Sequence, residues 1–528
     1  MSERSERLFW AMSEIDGQMI DEAFPEEGTR RFPGKKWGII SAAAAVLAVA
    51  VGVGSFMLPR MGEMNGSGAA PGGGGGAGSE GATTFMSYAG PVFPLTLREA
   101  DDEISAQREI TFDFAPWTPA TEDGRQKSST DVLVTDAYML TNASVEVKTV
   151  SVRYAFPGTL YELAERMPAL TADGAEADVV LHAGGYSGGF QNPEGGGSEP
   201  LLNLDQLDSW EGYKALLSDG RYQASALGEY PDLSDVPVTV YKFFDYYGPE
   251  PDSSAGYPNP SIRAGFDLDY DKTTVLSYGF HGASFDRENG KMIQEFSIPR
   301  PYNPWYGDPY YLIVIGDDIR NLTTGGYVTG GTDPGVKTLE GAGASVERYV
   351  SDLESALRAA AGLMYGGSKR AQESGADFEL YFGLLKELIC SYGVLSEEPV
   401  ERYHTGWLME FDNDLYAEDR VFYLEAELTI PAGGRVELAA EMKKRGSYDF
   451  YCAHTENQGV YGYDMVTTLG SNLTCTEQTA VLEDRGQIEI IRQSFGFDLE
   501  NGVRRVALDV GQEHYYLEVR GREGRFEQ

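Results

Sequence analysis

An uncharged apolar run of 21 residues, Gly38 to Leu58, constrains this chain more than any other feature of its 528 residues. A helix rises by about 1.5 Å per residue, so the run spans roughly 30 Å, the thickness of the hydrocarbon core of a bilayer. It therefore predicts one transmembrane helix at residues 38–58. Four basic residues, Arg30, Arg31, Lys35 and Lys36, lie on the amino-terminal side of the run. Only Arg60 follows close after it. This asymmetry predicts that residues 1–37 are cytoplasmic and that the chain after Arg60 is extracellular.

A cleaved secretory signal peptide is the competing interpretation of the same run. Signal peptides have a short basic leader and an apolar core of about 7 to 15 residues. Here the core is longer, and the leader of 37 residues contains eight acidic ones. No cysteine stands just after the run, where a lipoprotein anchor needs one. The helix itself is therefore the expected anchor.

The segments that flank the run differ in character. Within the tail at 1–37, residues 2–23 predict one amphipathic helix or a helix pair, whose apolar face contains Leu8, Met12, Ile15, Met19 and Ala23. A short tail cannot bury such a face by itself, so it docks on the inner leaflet or on a cytoplasmic protein. Its acidic residues favour a protein. Residues 59–84 are dominated by Gly, Ser and Ala and predict a flexible linker.

Acidic residues dominate the chain beyond the linker. The whole sequence has 82 acidic and 42 basic residues and a formal net charge of −40, nearly all of it after the apolar run. Nucleic acids and anionic surfaces require clustered Lys and Arg. The composition therefore argues against a nucleic-acid partner. It favours a solubilising surface, with binding of cations or basic polymers as the alternative.

From residue 85 onward the sequence is typical of β-strands. Apolar and polar residues alternate around Phe112, and again from Val145 to Phe156, where a slip at Lys148 and Thr149 predicts a β-bulge. Turn residues separate further expected strands at 236–247, 264–270, 275–280, 292–298, 310–315, 421–430, 435–440, 487–491, 503–509 and 514–519. Such a series is typical of antiparallel sandwiches.

Helical spacing returns between these strands. One apolar face runs from Val346 and Val350 to Met364, and a second runs from Phe378 to Tyr392, which predicts a helical hairpin. The expected fold class is mainly β: a transmembrane helix followed by two β-sandwich-like modules with the hairpin between them. In this division the β-rich modules are residues 85–335 and 401–528, and the hairpin is 336–400. One composite domain is the alternative.

Two acidic clusters invite comparison with cation sites. The first, Asp267, Asp269 and Asp271, begins like a calcium loop, but the sixth position is Lys272 and the twelfth is Tyr278, where Gly and a bidentate acid are needed. A strand with alternating wet and buried faces explains it better. The second cluster reads as a solvated turn and contains Asp412, Asn413, Asp414, Glu418 and Asp419.

No other pattern assigns a catalytic, cofactor-binding or metal-binding residue. The five histidines show no paired ligand spacing, and the sequence contains no Walker loop, nucleophile elbow or dinucleotide fingerprint; they are His182, His281, His404, His454 and His514. Two carboxylates suffice for a glycosidase, so an enzyme stays open.

Aromatic and thiol residues add two further expectations. A Pro-rich loop contains Tyr302, Trp305, Tyr306, Tyr310 and Tyr311, which form either loop core, the favoured interpretation, or an exposed binding patch. Cys390 is expected to be a buried thiol within a helix. Cys452 and Cys475 lie in strand-like segments and form a disulfide if the compartment is oxidising.

Two stretches carry a resemblance to known proteins. Residues 8–16, Leu-Phe-Trp-Ala-Met-Ser-Glu-Ile-Asp, followed by Ile20 to Ala23, a basic patch and Trp37, resemble the amino-terminal block of membrane proteins from clostridia-like Gram-positive bacteria. Several of these look like partners of extracytoplasmic-function sigma factors, so the resemblance implies an anti-sigma-like role for the tail. Residues 85–96 and 134–142 look like an uncharacterised single-pass family with the same layout.

The sequence therefore predicts a non-enzymatic, single-pass bacterial membrane protein. Its tail at 1–37 contacts a regulator such as a sigma factor, and its acidic extracellular part binds or senses an unknown ligand at the envelope. The alternative is a membrane-tethered hydrolase that acts on polysaccharide or peptidoglycan.

Overall fold

The computed structural model describes residues 87–117, 129–186, 207, 209–218, 220–300, 307–333, 335–403, 405–448 and 457–522. The tail at 1–37, the apolar run at 38–58 and the linker at 59–84 all lie outside these residues. Among the residues described, no helix combines the length and the apolar character that crossing a membrane requires. The transmembrane helix and its topology therefore stay predictions.

The fold is mainly β, as the alternating pattern predicts, with 45% of the described residues in strands and 17% in helices. Most of the expected strands form within a few residues of their expected ends. In chain order the strands are β1 (Leu95–Leu97), β2 (Ile104–Asp113), β3 (Val132–Asn142), β4 (Lys148–Gly158), β5 (Ala169–Ala172), β6 (Ala175–Glu176), β7 (Val180–Ala183), β8 (Pro237–Tyr247), β9 (Ser261–Asp267), β10 (Thr273–Tyr278), β11 (Gly282–Asp286), β12 (Lys291–Ser297), β13 (Tyr310–Gly316), β14 (Arg320–Tyr327), β15 (Gly343–Asp352), β16 (Arg420–Ile430), β17 (Arg435–Lys444), β18 (Ser447–Tyr448), β19 (Val460–Val466), β20 (Thr474–Glu483), β21 (Ile488–Gln493), β22 (Arg505–Leu508) and β23 (His514–Gly521).

Short helices lie between the strands. They are α1 (Leu163–Arg166), α2 (Trp210–Leu217), α3 (Arg221–Ala226), α4 (Leu353–Gly367), α5 (Lys369–Glu373), α6 (Phe378–Ser391) and α7 (Leu408–Ala417), with a 3₁₀ turn at Pro399–Glu401. Side-chain caps begin the two longest helices. Asp352 accepts a hydrogen bond from the Ser355 amide at α4, and Asp377 accepts one from the Leu380 amide at α6. Each cap satisfies an amide that lacks a partner within its helix.

Strands from both ends of the chain share sheets. In the seven-stranded sheet, with order β22-β20-β2-β3-β17-β5-β6, β3 pairs with β17 from Val132 to Thr141, and β2 pairs in parallel with β20. A second sheet has the order β1-β4-β16-β7, with β4 and β16 paired along their whole length. The ranges 85–335 and 401–528 are thus interleaved, an arrangement that agrees with one composite domain.

The middle of the chain forms two sheets of its own. Their orders are β10-β13-β8-β15 and β11-β12-β9-β14, and every pairing in them is antiparallel. The helix α4 packs across β8, β13 and β15. The remaining sheet, with order β18-β19-β23-β21, is formed by carboxyl-terminal strands.

The helical hairpin forms, but it begins later than its apolar pattern suggests. Val346 and Val350 belong to β15, where they pair with Phe243 and Thr239 of β8, and α4 starts only at Leu353. The expectation that both valines lie on a helix is wrong, because pairing with a neighbouring strand outweighs a periodicity that suits either structure. The two long helices α4 and α6 run antiparallel, with Glu354 bound to Lys386 and Tyr365 against Phe378.

The β-bulge predicted at Lys148 and Thr149 is also absent. The strand β4 starts at Lys148 and keeps a continuous register with β16 to Gly158. Val145 and Val147 lie before it, in the loop after β3, with 93% and 63% of their surface exposed. In the sequence, these two loop valines look like the start of a strand whose alternation slips by one residue, and this pattern predicts a bulge that does not form.

Candidate functional site

An open cleft of about 440 Å³ lies between the second sheet and the helical hairpin. Ligand sites commonly have volumes of about 300 to 1,000 Å³. Three parts of the fold form its walls: the β1-β4-β16-β7 sheet, the end of α3 with the turn after it, and α4 with α6. Its lining contains Arg98, Leu181, His182, Ala226, Leu227, Gly228, Tyr230, Arg358, Asp377, Glu379, Leu380, Phe382, Gly383, Lys386 and Glu425.

The floor of the cleft is centred on the carboxylate of Glu425. This residue stands opposite Arg153 in the β4–β16 register. Its Oε2 accepts a hydrogen bond from Arg153 Nε at 2.7 Å, and its Oε1 accepts one from Arg98 Nη1 at 2.9 Å. Burial alone would raise the pKa of Glu425, but the hydrogen bond from Arg153 and the charges of both arginines lower it below its usual value. Glu425 is therefore an anion at neutral pH.

His182 lies beside this ion pair on the edge strand β7. Its Nε2 is 3.8 Å from Glu425 Oε2. Burial lowers the pKa of His182, and the charges of Arg153 and Arg98 lower it further, so that the attraction of Glu425 does not restore it. The imidazole is neutral at neutral pH and already has a hydrogen bond to the backbone of Ala226.

The helical wall presents two more ion pairs around one aromatic ring. Arg358 on α4 forms a bidentate contact with Glu379 on α6, with N–O distances of 2.6 and 2.9 Å. Lys386 donates to both oxygens of Glu354 at 2.8 and 3.0 Å. Both cations also lie near the ring of Phe382, at 4.5 Å for Arg358 and 5.0 Å for Lys386. These contacts hold the two helices in a single arrangement at the rim.

A glycine in α6 sets the shape of the cleft wall. Tyr230 lies directly on Gly383, and a Cβ atom at position 383 would overlap its ring. Burial raises the pKa of Tyr230 to about 12, so the phenol stays protonated and can donate. Gly383 thus costs the helix some stability but lets an aromatic side chain approach its backbone.

No protein-family model matches this chain, and a search of curated proteins finds no match. The site must therefore be interpreted from its own geometry.

The first acidic cluster of the sequence follows the strand interpretation only as far as Asp267, where β9 ends. Phe266 and Leu268 are buried, while Asp269 binds Lys272 in the turn after β9 and Asp267 accepts a hydrogen bond from Asn321. Among the residues described, no group of three or more His, Cys, Asp or Glu side chains has a metal-binding arrangement.

The second acidic cluster was expected to be a solvated turn, and that expectation is wrong. Asp412 and Asp414 lie on α7, where their carboxylates accept hydrogen bonds from Tyr381 and Tyr392 of the helical layer. Burial raises the pKa of Asp412 to about 6. Their neighbour Glu410 is held by Thr405, and burial together with Asp414 raises its pKa to about 7. The turn residues around this segment concealed a short helix that packs on α6.

Of the other sequence candidates that the structure describes, only His182 reaches the cleft. His281 accepts a hydrogen bond from the Ser297 amide, and His514 contacts Asp464 at 2.7 Å and stacks on Trp210. His404 and His454 lie outside the described residues, as do Tyr302, Trp305, Tyr306 and Cys452. Tyr310 and Tyr311 are buried in β13, as core residues would be, and burial raises the pKa of the Cys390 thiol.

The remaining cleft residues were not found from the sequence. They come from separate parts of the chain, and Arg98 and Glu425 stand 327 positions apart. The one local signal is Gly383, an isolated glycine within a strongly apolar helix, which often marks a close approach.

Two further charged clusters are structural. Arg108 and Asp136 form a fully buried ion pair, and Asp136 also accepts hydrogen bonds from Tyr138 and Tyr154. The buried Lys444 donates to the carbonyls of Ala89 and Gly90, beside a cavity of only about 40 Å³. The cavity beside Lys444 has no room for a sizeable ligand, whereas a second open pocket of about 300 Å³ lies over the seven-stranded sheet with Arg108 and Tyr138 in its lining.

Proposed function

We propose that this chain is a bacterial membrane protein, anchored by residues 38–58, whose extracellular part binds an envelope ligand in the cleft above Glu425. The observation that carries the proposal is the cleft itself: about 440 Å³, open to solvent and shaped by Gly383. Clefts of this size, at which several layers of a fold converge, are the usual location of ligand sites. The strong negative charge keeps such an exposed body soluble.

Two features support binding over hydrolysis. A glycosidase needs a general acid with a raised pKa beside a second carboxylate. In the cleft, the hydrogen bond from Arg358 lowers the pKa of Glu379, and the contacts of Arg153 lower that of Glu425. Burial raises the pKa of three described acids, Glu295, Glu410 and Asp412, and none of them is among the cleft lining.

The proposal includes two finer points of architecture and signalling. The β1-β4-β16-β7 sheet and the seven-stranded sheet face each other as a sandwich, and the hydrogen bond from Tyr154 on β4 to Asp136 on β3 supports this contact. The amphipathic tail at 1–37 binds a cytoplasmic regulator of the sigma-factor class. The flexible linker between the membrane helix and the extracellular part favours signalling by clustering or cleavage over rigid transmission of a movement through the helix.

Ligand-observed NMR of the full-length protein in detergent micelles tests the binding site. A library of neutral, anionic and cationic metabolites is screened against the wild-type chain and against Leu227→Trp, which fills the cleft. Binders that are lost in this variant but kept in Val145→Trp, on a fully exposed loop, support the proposal. If no compound distinguishes the two variants, the cleft is not a ligand site.

Two more measurements test the anchor and the tail. Protease added to intact protoplasts should remove epitopes in 87–528 and leave a protected fragment that contains 1–37. Full-length protein should co-purify with a sigma factor, and Ile15→Asp should abolish this. Protection of the carboxyl-terminal epitopes contradicts the topology. A wild-type chain that captures no sigma factor, or a factor that Ile15→Asp still captures, contradicts the tail's role.

A further inference from the structure

We infer that the ligand of the cleft is an uncharged, hydroxyl-rich molecule, a neutral saccharide in chemical class. This inference rests on the proposed function, because it concerns the same cleft. It follows from the ion pairs that the charged groups of the lining already form.

The charges of the lining balance. It contains three cationic side chains, those of Arg98, Arg358 and Lys386, and three acidic ones, those of Asp377, Glu379 and Glu425. Each cation already binds a carboxylate, at distances of 2.6 to 3.0 Å. His182, the remaining titratable imidazole, is neutral because burial lowers its pKa. The cleft is thus locally neutral within a chain of net charge −40.

This pairing disfavours charged ligands of either sign. An anionic group meets arginines that already have a carboxylate partner, and it also approaches against the field of a strongly acidic protein. A cationic group meets Glu379 and Glu425 already paired with arginines. Because these pairs are partly exposed and the lining has no net charge, exchanging one partner for a charged ligand offers little gain.

Hydroxyl groups match the same lining without breaking it. A guanidinium has five N–H donors and a carboxylate has about four lone-pair sites, and the contact between Arg98 and Glu425 engages one of each. A hydroxyl both donates and accepts, so neighbouring hydroxyls can bridge an arginine and a carboxylate that stay paired. His182 and the Tyr230 phenol add further polar contacts at the wall.

The apolar part of the lining fits the carbon face of a sugar ring. Leu181, Leu227 and Leu380 are half-buried and line the cleft together with the ring of Tyr230. Aromatic side chains with a polar tip are suited to a ligand that is apolar on one side and wet on the other.

A series of oligosaccharides that differ in charge tests the inference. Their binding to the full-length protein in micelles is measured by titration calorimetry. The probes are uncharged di- and trisaccharides of glucose and of N-acetylglucosamine, the cationic glucosamine trimer and an anionic glucuronate trimer. At least one uncharged probe should bind, and its affinity should fall by at least about tenfold in Leu227→Trp but not in Val145→Trp. The charged trimers should bind at least about fivefold more weakly than the best uncharged probe.

A second variant tests the role of charge pairing directly. Glu379→Gln leaves Arg358 in the cleft without its bidentate partner, so the glucuronate trimer should gain affinity over wild type while uncharged probes change little. If a charged trimer binds the wild-type cleft as tightly as any uncharged probe, or if no uncharged probe binds, the inference is overturned. If metabolites of another class bind the wild-type protein but not Leu227→Trp, the proposed function stands and only the saccharide inference fails. If no compound of any kind binds in a cleft-dependent way, the proposed function and the inference both fail.

Discussion

The ring of Tyr230 lies against the backbone of Gly383 so closely that any side chain at position 383 would overlap it. This contact joins the turn after α3 to the middle of α6 and forms one corner of the cleft. Gly383→Ala should therefore displace Tyr230 and narrow the cleft. The overlap should cost about 1–3 kcal/mol, more than the gain of up to about 1 kcal/mol that Ala brings to a helix.

Thermal unfolding checks this prediction against a matched control. Gly362 lies in the neighbouring helix α4, where a Cβ meets nothing within 4 Å. Gly362→Ala should raise the free energy of unfolding by about 0.5–1 kcal/mol. If both alanine variants are stabilised alike, Tyr230 does not pack on Gly383.

The buried ion pair of Arg108 and Asp136 should be a strong determinant of stability. Asp136→Ala leaves the Arg108 guanidinium buried without a counter-charge and removes the acceptor of Tyr138 and Tyr154. We expect a loss of about 3–5 kcal/mol in the free energy of unfolding by urea. Glu373→Ala, which breaks an exposed pair with Lys369, should change it by less than about 0.5 kcal/mol. Equal effects of the two substitutions would contradict a structural role for the buried pair.

The raised pKa of Glu410, about 7 compared with an ordinary value of 4.5, predicts a pH-dependent stability. Between these two values the folded state binds more protons at this site than the unfolded state, so its contribution to stability falls as pH rises. Glu410→Gln should remove this dependence and stabilise the protein at pH 8, by an amount on the order of 1–3 kcal/mol.

The measurement for Glu410 is the difference in unfolding free energy between variant and wild type at pH 5 and pH 8. Taking the difference separates the contribution of Glu410 from those of the many acids whose pKa is lowered, because these change the stability with pH in the opposite direction. Glu288→Gln, at an exposed turn, is the matched control and should give a difference that does not change with pH. A flat profile for Glu410→Gln would show that the carboxyl is ionised in the folded protein.

Lys444 should anchor the segment at residues 87–93. Its ammonium donates to the carbonyls of Ala89 and Gly90, and burial lowers its pKa to about 8. Lys444→Met leaves these carbonyls without that donor, at a cost of about 1–3 kcal/mol. Amide hydrogen exchange at 87–93 should accelerate in this variant and stay unchanged in Lys443→Met, whose side chain is exposed. Equal exchange in both variants would contradict the anchoring role.

Strand positions were accessible from the sequence to the extent that each strand buries one face. The expected strand at 421–430 is β16 almost to the residue, because its buried and exposed positions alternate over most of its length. Val346 and Val350 were misplaced because two valines four residues apart suit a helix and a strand equally well. The acids of α7 were misjudged because a carboxylate in a polar stretch looks solvated until the tyrosines of α6 are placed against it.

Local pattern was enough to define the mainly β character, the acidic charge and the 21-residue apolar run that predicts an anchor. These properties depend on neighbours within about ten residues, and a periodicity of two records them directly. Strand partners and the cleft depend instead on contacts between residues such as Arg98 and Glu425, which are 327 positions apart. Such contacts form only when chain folding brings distant surfaces together, so the pairing of charges that defines the candidate site became visible only in the tertiary structure.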